Sequence, residues 1–200
     1  MTLVAVTKYL DIPRVSLLPE VGLTVLGENR VQDLAAKAAA LPTSVEWHMI
    51  GHLQRNKARK ACELASLIHS VDSVRLAEAI SDCGVQLCRR VPVLVEVNVS
   101  GEGSKQGLAP DDLPNCLEQL MGLNGLEVLG LMTMAPLEAD PEDARPFFAS
   151  LRELMARMRE RLALPSLTEL SMGMSGDFEQ AIEEGATLVR VGSALYEGLL

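Results

Sequence analysis

Short apolar segments alternate along the chain with longer segments that have helical periodicity. The apolar segments are rich in β-branched residues, and each ends in polar or glycine-containing positions, as buried strands do. Eight strands are predicted, at residues 2–7, 23–26, 46–50, 67–71, 91–99, 126–134, 168–174 and 187–191. Their continuous apolar character indicates that both faces of the sheet are covered.

Helical patterns fill most of the intervals between these strands. They cover residues 13–21, 30–41, 56–67, 73–83, 110–120, 141–162 and 177–184. Ser73 is expected to cap the fourth helix and Gly84 to end it, whereas Asp140 and Pro141 are expected to begin the sixth. The sixth helix carries one apolar stripe, formed by Phe147, Leu151, Leu154, Met155, Met158 and Leu162. We expect this stripe to be buried.

Eight strands that alternate with helices favour a single (β/α)8 barrel, an α/β fold of TIM type, over residues 1–200. The competing arrangement is an open doubly wound sheet, which usually carries a glycine-rich loop after its first strand. Neither GxGxxG nor GxxxxGK occurs in the sequence. We therefore predict a closed barrel, with its functional residues at the carboxyl ends of the strands.

Composition and charge exclude several classes of protein. Hydrophobic residues make up 48% of the chain, so it is not a disordered protein. The net charge of −9 argues against nucleic acid or an anionic membrane as the main partner. No apolar run reaches the roughly 18 residues that span a membrane, and the start of the chain lacks the features of a signal peptide.

The four cysteines form no CxxC pair, so we expect reduced thiols, no metal site and a cytoplasmic protein. A monomer is expected, because no apolar stripe is left over once the barrel is covered.

Lys8 is the lysine that directly follows a predicted strand. Of the five lysines, Lys37, Lys57 and Lys60 are expected on helix exteriors, and Lys105 lies in a loop. Burial of Lys8 in the barrel mouth would favour the neutral amine, which attacks carbonyl groups. The alternative is that Lys8 extends into solvent or pairs with a carboxylate.

The last two strands end in residues that suit an anion. Residues 171–177 form a turn rich in serine and glycine, and Arg190, Gly192 and Ser193 end the eighth strand. Barrels commonly hold phosphate in these two loops, although serine and glycine also fit an ordinary turn. A lysine opposite a phosphate site indicates a phosphorylated aldehyde, of which pyridoxal 5'-phosphate (PLP) is the common cofactor.

Segments spread over nearly the whole chain resemble, in order, those of the pyridoxal phosphate homeostasis proteins. They are VAVTK (4–8), GENRVQ (27–32), WHMIGHLQRNK (47–57), VNVSGE (97–102) with SK (104–105), GLMT (130–133), LSMGMSGD (170–177) and VRVGS (189–193). The family is similar in fold to the N-terminal barrel domain of alanine racemase. The resemblance implies a protein that buffers or delivers PLP, affecting vitamin B6 and amino-acid balance, without established catalysis.

The resemblance also implies roles for individual residues. Lys8 would hold PLP as a Schiff base. The phosphate would be held by the hydroxyls and amides of three residues, Ser175, Gly192 and Ser193. Arg190 would lie near the ring nitrogen or the phosphate, and Asn29 and His52 would border the ring. A cation at the ring nitrogen keeps that nitrogen unprotonated and makes PLP a poor electron sink, which suits storage.

One departure from the family is the helix that usually precedes the first strand, which is expected to be absent because the strand begins at Thr2.

Two other functions stay open. A fold-type III PLP enzyme, such as an amino-acid racemase, needs a second base, and Tyr9 is expected to point away from Lys8 because neighbouring strand residues face opposite sides. A regulatory protein that reports PLP to a partner, such as a PLP-dependent client enzyme, could use the basic surface at 55–60.

Overall fold

Eight parallel strands close into a barrel in a computed structural model that describes residues 1–101, 106–136 and 140–197. The strands are β1 (Thr2–Val6), β2 (Val25–Glu28), β3 (Glu46–Met49), β4 (Leu67–Val71), β5 (Val91–Glu96), β6 (Leu126–Met132), β7 (Glu169–Ser171) and β8 (Leu188–Val191). They follow one another around the barrel in chain order, and β8 closes it by pairing with β1, for example Val189 with Leu3. The predicted barrel and its eight strands are confirmed.

Helices connect the strands on the outside of the barrel. They are α1 (Ile12–Val15), α2 (Val31–Ala40), α3 (Ala58–Leu64), α4 (Val74–Gln86), α5 (Leu113–Met121), α6 (Pro141–Leu162) and α7 (Phe178–Glu183). A short 3-10 helix, Ser193–Tyr196, follows β8. Ser73 caps α4 as predicted, accepting a hydrogen bond from the Leu76 amide at 3.4 Å. Across the described residues, every helix is too short or too polar to cross a membrane.

The expectation that Gly84 ends its helix is wrong, because α4 continues to Gln86. A Cβ added at Gly84 would lie 1.9 Å from the carbonyl oxygen of Gly125, and a Cβ at Gly125 would lie 1.9 Å from that of Ser81. The two glycines therefore let the α4 backbone pack directly on the chain that enters β6. Here glycine marks a close approach of two backbones and not the end of a helix.

The middle of the apolar stripe of α6 is buried as predicted, at Leu151, Leu154, Met155 and Met158. Phe147 and Leu162, at its two ends, are only half-buried, so the prediction is wrong for them, and Phe148 is the fully buried residue of the first turns. Phe148 lies four residues after the buried Ala144 and three before the buried Leu151, which places all three on one face of the helix. This face packs against the barrel as part of the main core.

A smaller apolar cluster fills the inside of the barrel, formed by Val4, Val6, Ile50, Leu67, Leu94, Met132 and Leu188. Gly27 of β2 leaves room for it, since a Cβ there would lie 2.9 Å from the Val4 side chain. Buried polar side chains, among them His69 and Arg190, also lie on the strands. The strands of the barrel therefore carry buried polar side chains as well as the apolar cluster.

Candidate functional site

A cavity of about 500 Å³ opens at the carboxyl end of the barrel. It is lined mainly by residues at, or shortly after, the carboxyl ends of β1, β2, β3, β6, β7 and β8. Six of the seven predicted site residues line it, namely Lys8, Asn29, Ser175, Arg190, Gly192 and Ser193. The fold thus brings together residues that are up to 185 positions apart in the sequence (193 − 8).

Lys8 lies on the wall of this cavity and is exposed, so of the two alternatives left open by the sequence it is the extension into solvent that the structure shows. The reason is that β1 ends at Val6, two residues earlier. The strand alternation expected to turn Tyr9 away from Lys8 also no longer applies at these positions. Tyr9 lines the same cavity, and the Lys8 Nζ lies 4.8 Å from the centre of its ring.

Lys37 is buried, which corrects the expectation that it lies on a helix exterior. Its Nζ donates to Oε1 of Glu28 at 2.5 Å and to the carbonyl oxygen of Thr7 at 2.7 Å. The Thr7 hydroxyl donates to the same Glu28 oxygen at 2.6 Å. Because a buried charge needs a partner, Lys37 and Glu28 form an internal ion pair. This pair holds the backbone immediately before Lys8.

Two backbone amides converge on the Ser175 hydroxyl, which also lies on the wall of the cavity. Oγ of Ser175 accepts hydrogen bonds from the amides of Gly192 at 3.1 Å and Ala194 at 3.3 Å. The turn after β7 is fixed by Asp177, whose carboxylate accepts from the Met174 amide at 2.6 Å. Converging amides and a hydroxyl form an array that suits a phosphate group. The sequence did not single out Ala194, because a backbone amide carries no signal of residue type.

Arg190 is buried and belongs to a row of hydrogen-bonded side chains across the barrel. Its guanidinium donates to Oγ of Ser171 at 2.5 Å and to the carbonyl oxygen of Thr133 at 2.9 Å. Ser171 Oγ lies 2.8 Å from Nδ1 of His69, whose Nε2 lies 3.0 Å from Nδ1 of His48. Both histidines are buried. The row fixes the orientation of Arg190.

Burial lowers the pKa values of the basic groups in this row, because it favours their neutral forms. Burial lowers the pKa of Arg190 to about 10, although the charges of Glu96 and Asp177 oppose that shift. Burial lowers the pKa of His48 to about 4. It also lowers the pKa of His69 well below its ordinary value, and the charges of His48 and Arg190 add to the effect. Arg190 is therefore the cation of the row, and both histidines are neutral at neutral pH.

Glu96 is a buried acid at the end of β5 that the sequence reasoning missed. Burial, and then the charge of Asp72, raise the pKa of its carboxyl to about 7, while the charge of Arg190 opposes the shift. An acidic residue that ends an otherwise apolar strand was the available signal.

His52 does not line the main cavity. It is exposed, and its Nδ1 lies 3.3 Å from a carboxylate oxygen of Asp72. It lines a neighbouring cavity, and Asn29 lies on the wall of both. Lys105 falls outside the residues that the structure describes. Within the described part of the chain, no group of three or more His, Cys, Asp or Glu residues is arranged to hold a metal ion.

Known proteins with similar sequences identify the family. The family described as "Alanine racemase, N-terminal domain" matches residues 1–199. The pyridoxal phosphate homeostasis protein of Aquifex aeolicus (strain VF5) is 46% identical over 176 residues, which are 88% of this chain and 77% of that protein. The protein of the same name from Deinococcus radiodurans is 44% identical over 97% of this chain and 88% of its own length.

Solved structures show the same relationship. PipY of Synechococcus elongatus PCC7942, in a structure with PLP bound, is 39% identical with a TM-score of 0.91, over 98% of this chain and 92% of that chain. Alanine racemase of Clostridium difficile 630 has a TM-score of 0.82 over 98% of this chain and 52% of that chain, but at 15% identity it shows the shared fold alone. By its match over nearly the whole length, this chain belongs to the alanine racemase N-terminal domain family and, within it, to the pyridoxal phosphate homeostasis proteins.

Proposed function

We propose that this protein binds PLP at the carboxyl end of its barrel and buffers or delivers it, as a single PLP-binding domain over residues 1–200. The observation that supports the proposal is a cavity of about 500 Å³ whose wall includes both a lysine and a set of groups suited to an anion. PLP carries its aldehyde and its phosphate-bearing methylene on adjacent carbons of one ring, so a lysine and a phosphate site on the wall of the same cavity can engage both groups of the cofactor.

Lys8 is proposed to attach the cofactor. Its amine condenses with the PLP aldehyde, so that a C=N bond (a Schiff base) forms and the carbonyl oxygen leaves as water. Its place on the cavity wall supports this role. Its exposure also leaves the new bond open to an amine that arrives from solution, which suits a protein that passes PLP on.

The phosphate is proposed to bind at Ser175, Gly192 and Ser193, with the Ala194 amide as an additional donor. The convergence of the Gly192 and Ala194 amides on one oxygen position supports this assignment. Gly192 also lies close to β1, since a Cβ there would lie 3.3 Å from the Cβ of Val6. A side chain at this position would crowd the wall between the lysine and the phosphate.

Arg190 is proposed to face the ring nitrogen. A buried cation at this atom would keep the nitrogen unprotonated, so that PLP withdraws electrons poorly and is stored without being used. Asn29 is proposed to border the ring, which its position on the cavity wall supports. His52 is proposed to act at the edge of the site, from the adjoining cavity that shares Asn29.

We assign the protein to the cytoplasm, as a monomer with PLP-dependent enzymes as client partners. Its cysteines, Cys62, Cys83, Cys88 and Cys116, are free thiols, which supports a reducing compartment. The net charge of −9 supports the proposal that neither nucleic acid nor an anionic membrane is the main partner.

Titration with PLP and with pyridoxal, which lacks the phosphate, tests the proposal. Ser175→Ala should weaken PLP by about tenfold, the loss of one charge-assisted hydrogen bond, and leave pyridoxal unchanged. Lys8→Ala should abolish the visible absorption band of the C=N bond. Lys60→Ala, a change on the exposed face of α3, should alter neither. Equal losses of PLP and pyridoxal in Ser175→Ala would contradict the phosphate assignment.

A racemase-like PLP enzyme is the second candidate, and the position of Tyr9 favours it. The Tyr9 phenol lies on the same cavity as Lys8 and offers a second acid–base group. Exchange of the Cα proton of L-alanine in D2O separates the two functions. A carrier gives no exchange beyond that of free PLP, whereas an enzyme gives exchange that Tyr9→Phe removes.

A further inference from the structure

The Glu96 carboxyl lies inside the barrel, at its carboxyl end. Glu96 is 2% exposed and comes two residues after Leu94, which belongs to the apolar cluster inside the barrel. Because side chains alternate along a strand, Glu96 faces the same interior. Its pairing with Met132, another member of that cluster, agrees with this orientation. Among residues 1–101, 106–136 and 140–197, no group forms a hydrogen bond or an ion pair with the Glu96 carboxyl.

An irregularity in β4 brings Asp72 to the same face. His69 points into the barrel, since its ring reaches a serine on β7, a strand that is not its neighbour. Strict alternation would turn Val71 inward as well and Asp72 outward. The register of β4 against β5 shifts before Val71, and Val71 and its partner Val95 both belong to the main core between the strands and the helices. The residues that follow this pair, Asp72 and Glu96, are therefore neighbours on the inner face.

Two neighbouring acids in this interior favour the retention of one proton. Like charges repel strongly where water is excluded, so the more deeply buried acid is the one that stays protonated. That acid is Glu96, because the Asp72 side chain is 19% exposed and lies 3.3 Å from the His52 ring. Burial and the charge of Asp72 accordingly raise the pKa of Glu96 to about 7.

Arg190 reaches the same end of the barrel from β8. It comes two residues after Leu188, a member of the inner apolar cluster, so its side chain enters the same interior. Its guanidinium donates to the carbonyl oxygen of Thr133 at 2.9 Å, and the Thr133 hydroxyl donates to the carbonyl oxygen of Val97 at 2.8 Å. Val97 directly follows Glu96 in the chain. One residue, Thr133, therefore connects the guanidinium to the end of β5 that carries Glu96.

We propose that Glu96 is a positioning residue for the cofactor and acts through Arg190: protonated Glu96 leaves the guanidinium to the PLP ring nitrogen, and ionised Glu96 draws it away. The inference rests on the proposed function, in which Arg190 faces that nitrogen. The carboxylate competes well, because a guanidinium bonds a charged acceptor more strongly than a neutral one. The proposal adds a control of PLP affinity by pH.

The affinity for PLP should fall as the pH rises through the pKa of Glu96. Binding that uses the guanidinium favours the protonated acid and so raises the Glu96 pKa, and a rise of one unit corresponds to a change of about tenfold in Kd. The two buried histidines of the row stay neutral near pH 7, because burial lowers their pKa values. The titratable side chains around Glu96 and Arg190 are Asp72, Asp177, His48, His52 and His69.

Comparison with Glu96→Gln isolates the effect, because the titration of PLP and of Lys8 is common to both proteins. Glutamine is neutral at every pH. The ratio of the PLP Kd of the wild type to that of the variant should rise about tenfold between about pH 6 and about pH 8.5. The ligand control is 1-deaza-PLP, which keeps the aldehyde and the phosphate and has a carbon in place of the ring nitrogen. Its ratio should not change with pH, since it offers Arg190 no acceptor.

Asp72→Asn tests the carboxyl pair. Without the neighbouring charge the pKa of Glu96 is lower, so the fall in PLP affinity should move to lower pH, which a merely structural role of Asp72 would not produce. Asp82→Asn, at an exposed carboxylate on α4, is the matched control and should move nothing. His52→Gln should keep the pH dependence, whatever its effect on the affinity itself, because Glu96 remains.

Three results would overturn the inference and leave the proposed function standing, since PLP still binds in each. They are a ratio that stays constant with pH, the same rise with 1-deaza-PLP, and a midpoint that Asp72→Asn does not move. A wild-type protein that binds no PLP at any pH in this range would overturn the proposed function and the inference with it.

Discussion

Nη1 of Arg190 lies 2.5 Å from Oγ of Ser171, so a serine hydroxyl inside the barrel holds the buried cation of the site. The same oxygen contacts His69. Ser171→Ala would leave a buried guanidinium donor and an imidazole nitrogen without this partner. We expect the free energy of unfolding to fall by about 1–3 kcal/mol, measured by urea denaturation.

Ser150→Ala is the matched control, because Ser150 is exposed on α6. This substitution should change the free energy of unfolding by no more than about 0.5 kcal/mol. Equal stabilities of the two variants would show that the Ser171 hydroxyl does not support Arg190.

Lys37→Met tests the internal ion pair that the sequence did not reveal. Removing the ammonium leaves the Glu28 carboxylate buried without its cation, which typically costs about 3–5 kcal/mol. Lys60→Met, at an exposed lysine 3.4 Å from Glu63, should cost less than about 1 kcal/mol. The double variant Lys37→Met/Glu28→Gln should recover part of the loss, because neither charge remains. Urea denaturation of the three variants measures these differences, and similar costs at the two lysines would refute the argument.

The burial of Lys37 could not be predicted from the sequence. Helical periodicity placed it on α2, which is correct, but one of its partners, Thr7, directly follows β1 and the other, Glu28, ends β2. A buried lysine is recognised by its partner in space, and no local pattern records that partner. Whether Lys8 is buried or exposed could not be predicted for a related reason. The answer depends on where β1 ends, and strand ends are the least certain part of a pattern.

The barrel itself was predictable, because strands buried on both faces give apolar runs bounded by polar residues and glycine. The strand β7 is the shortest, at Glu169–Ser171 within the predicted 168–174. Gly173 has a φ of +88°, and a Cβ there would lie 2.5 Å from that of Ala181, so the chain turns out of the sheet at this point. The apolar run continued past the strand because Met172 is still buried.

Six of the predicted site residues line one cavity because the carboxyl ends of parallel strands meet there. The amide of Ala194 and the carbonyl oxygen of Thr133 could not be found from the sequence, since every residue has a backbone carbonyl and every residue except proline has a backbone N–H. Glu28 was quoted within a motif, but its role as the centre of a buried cluster requires the positions of Thr7 and Lys37.

Glu96→Gln should change how stability depends on pH. The carboxyl pKa rises from 4.5 to about 7 on folding, so the folded state binds the proton more tightly. The stability from this group is complete below the unfolded pKa and is lost as the pH rises through the folded pKa. Glutamine does not ionise. The free energy of unfolding of the variant, measured relative to that of the wild type, should therefore increase by about 2–3 kcal/mol between about pH 5 and about pH 8.

Urea denaturation of both proteins across this range measures the effect. The two buried histidines have lowered pKa values and act in the opposite direction, losing stability as the pH falls. Their contribution cancels in the difference between variant and wild type. A difference that does not change with pH would contradict the burial of an ionisable Glu96.

Gly84→Ala should destabilise the fold although alanine favours helices. The added Cβ would lie 1.9 Å from the Gly125 carbonyl oxygen, which belongs to a backbone and cannot move aside cheaply. We expect a cost of about 1–3 kcal/mol in urea denaturation. Gly122→Ala is the control, since a Cβ there would meet its nearest atom at 3.4 Å. A stabilised Gly84→Ala variant would show that the two backbones are not in close contact.

Attachment of PLP to one lysine is the central claim, and reduction with borohydride followed by peptide mass mapping tests it most directly. The account predicts a visible absorption band that borohydride removes, and a single pyridoxyl adduct on Lys8. Lys8→Ala should lose both. An adduct on Lys57, Lys60 or Lys105 in place of Lys8, or no adduct after incubation with PLP, would contradict the account.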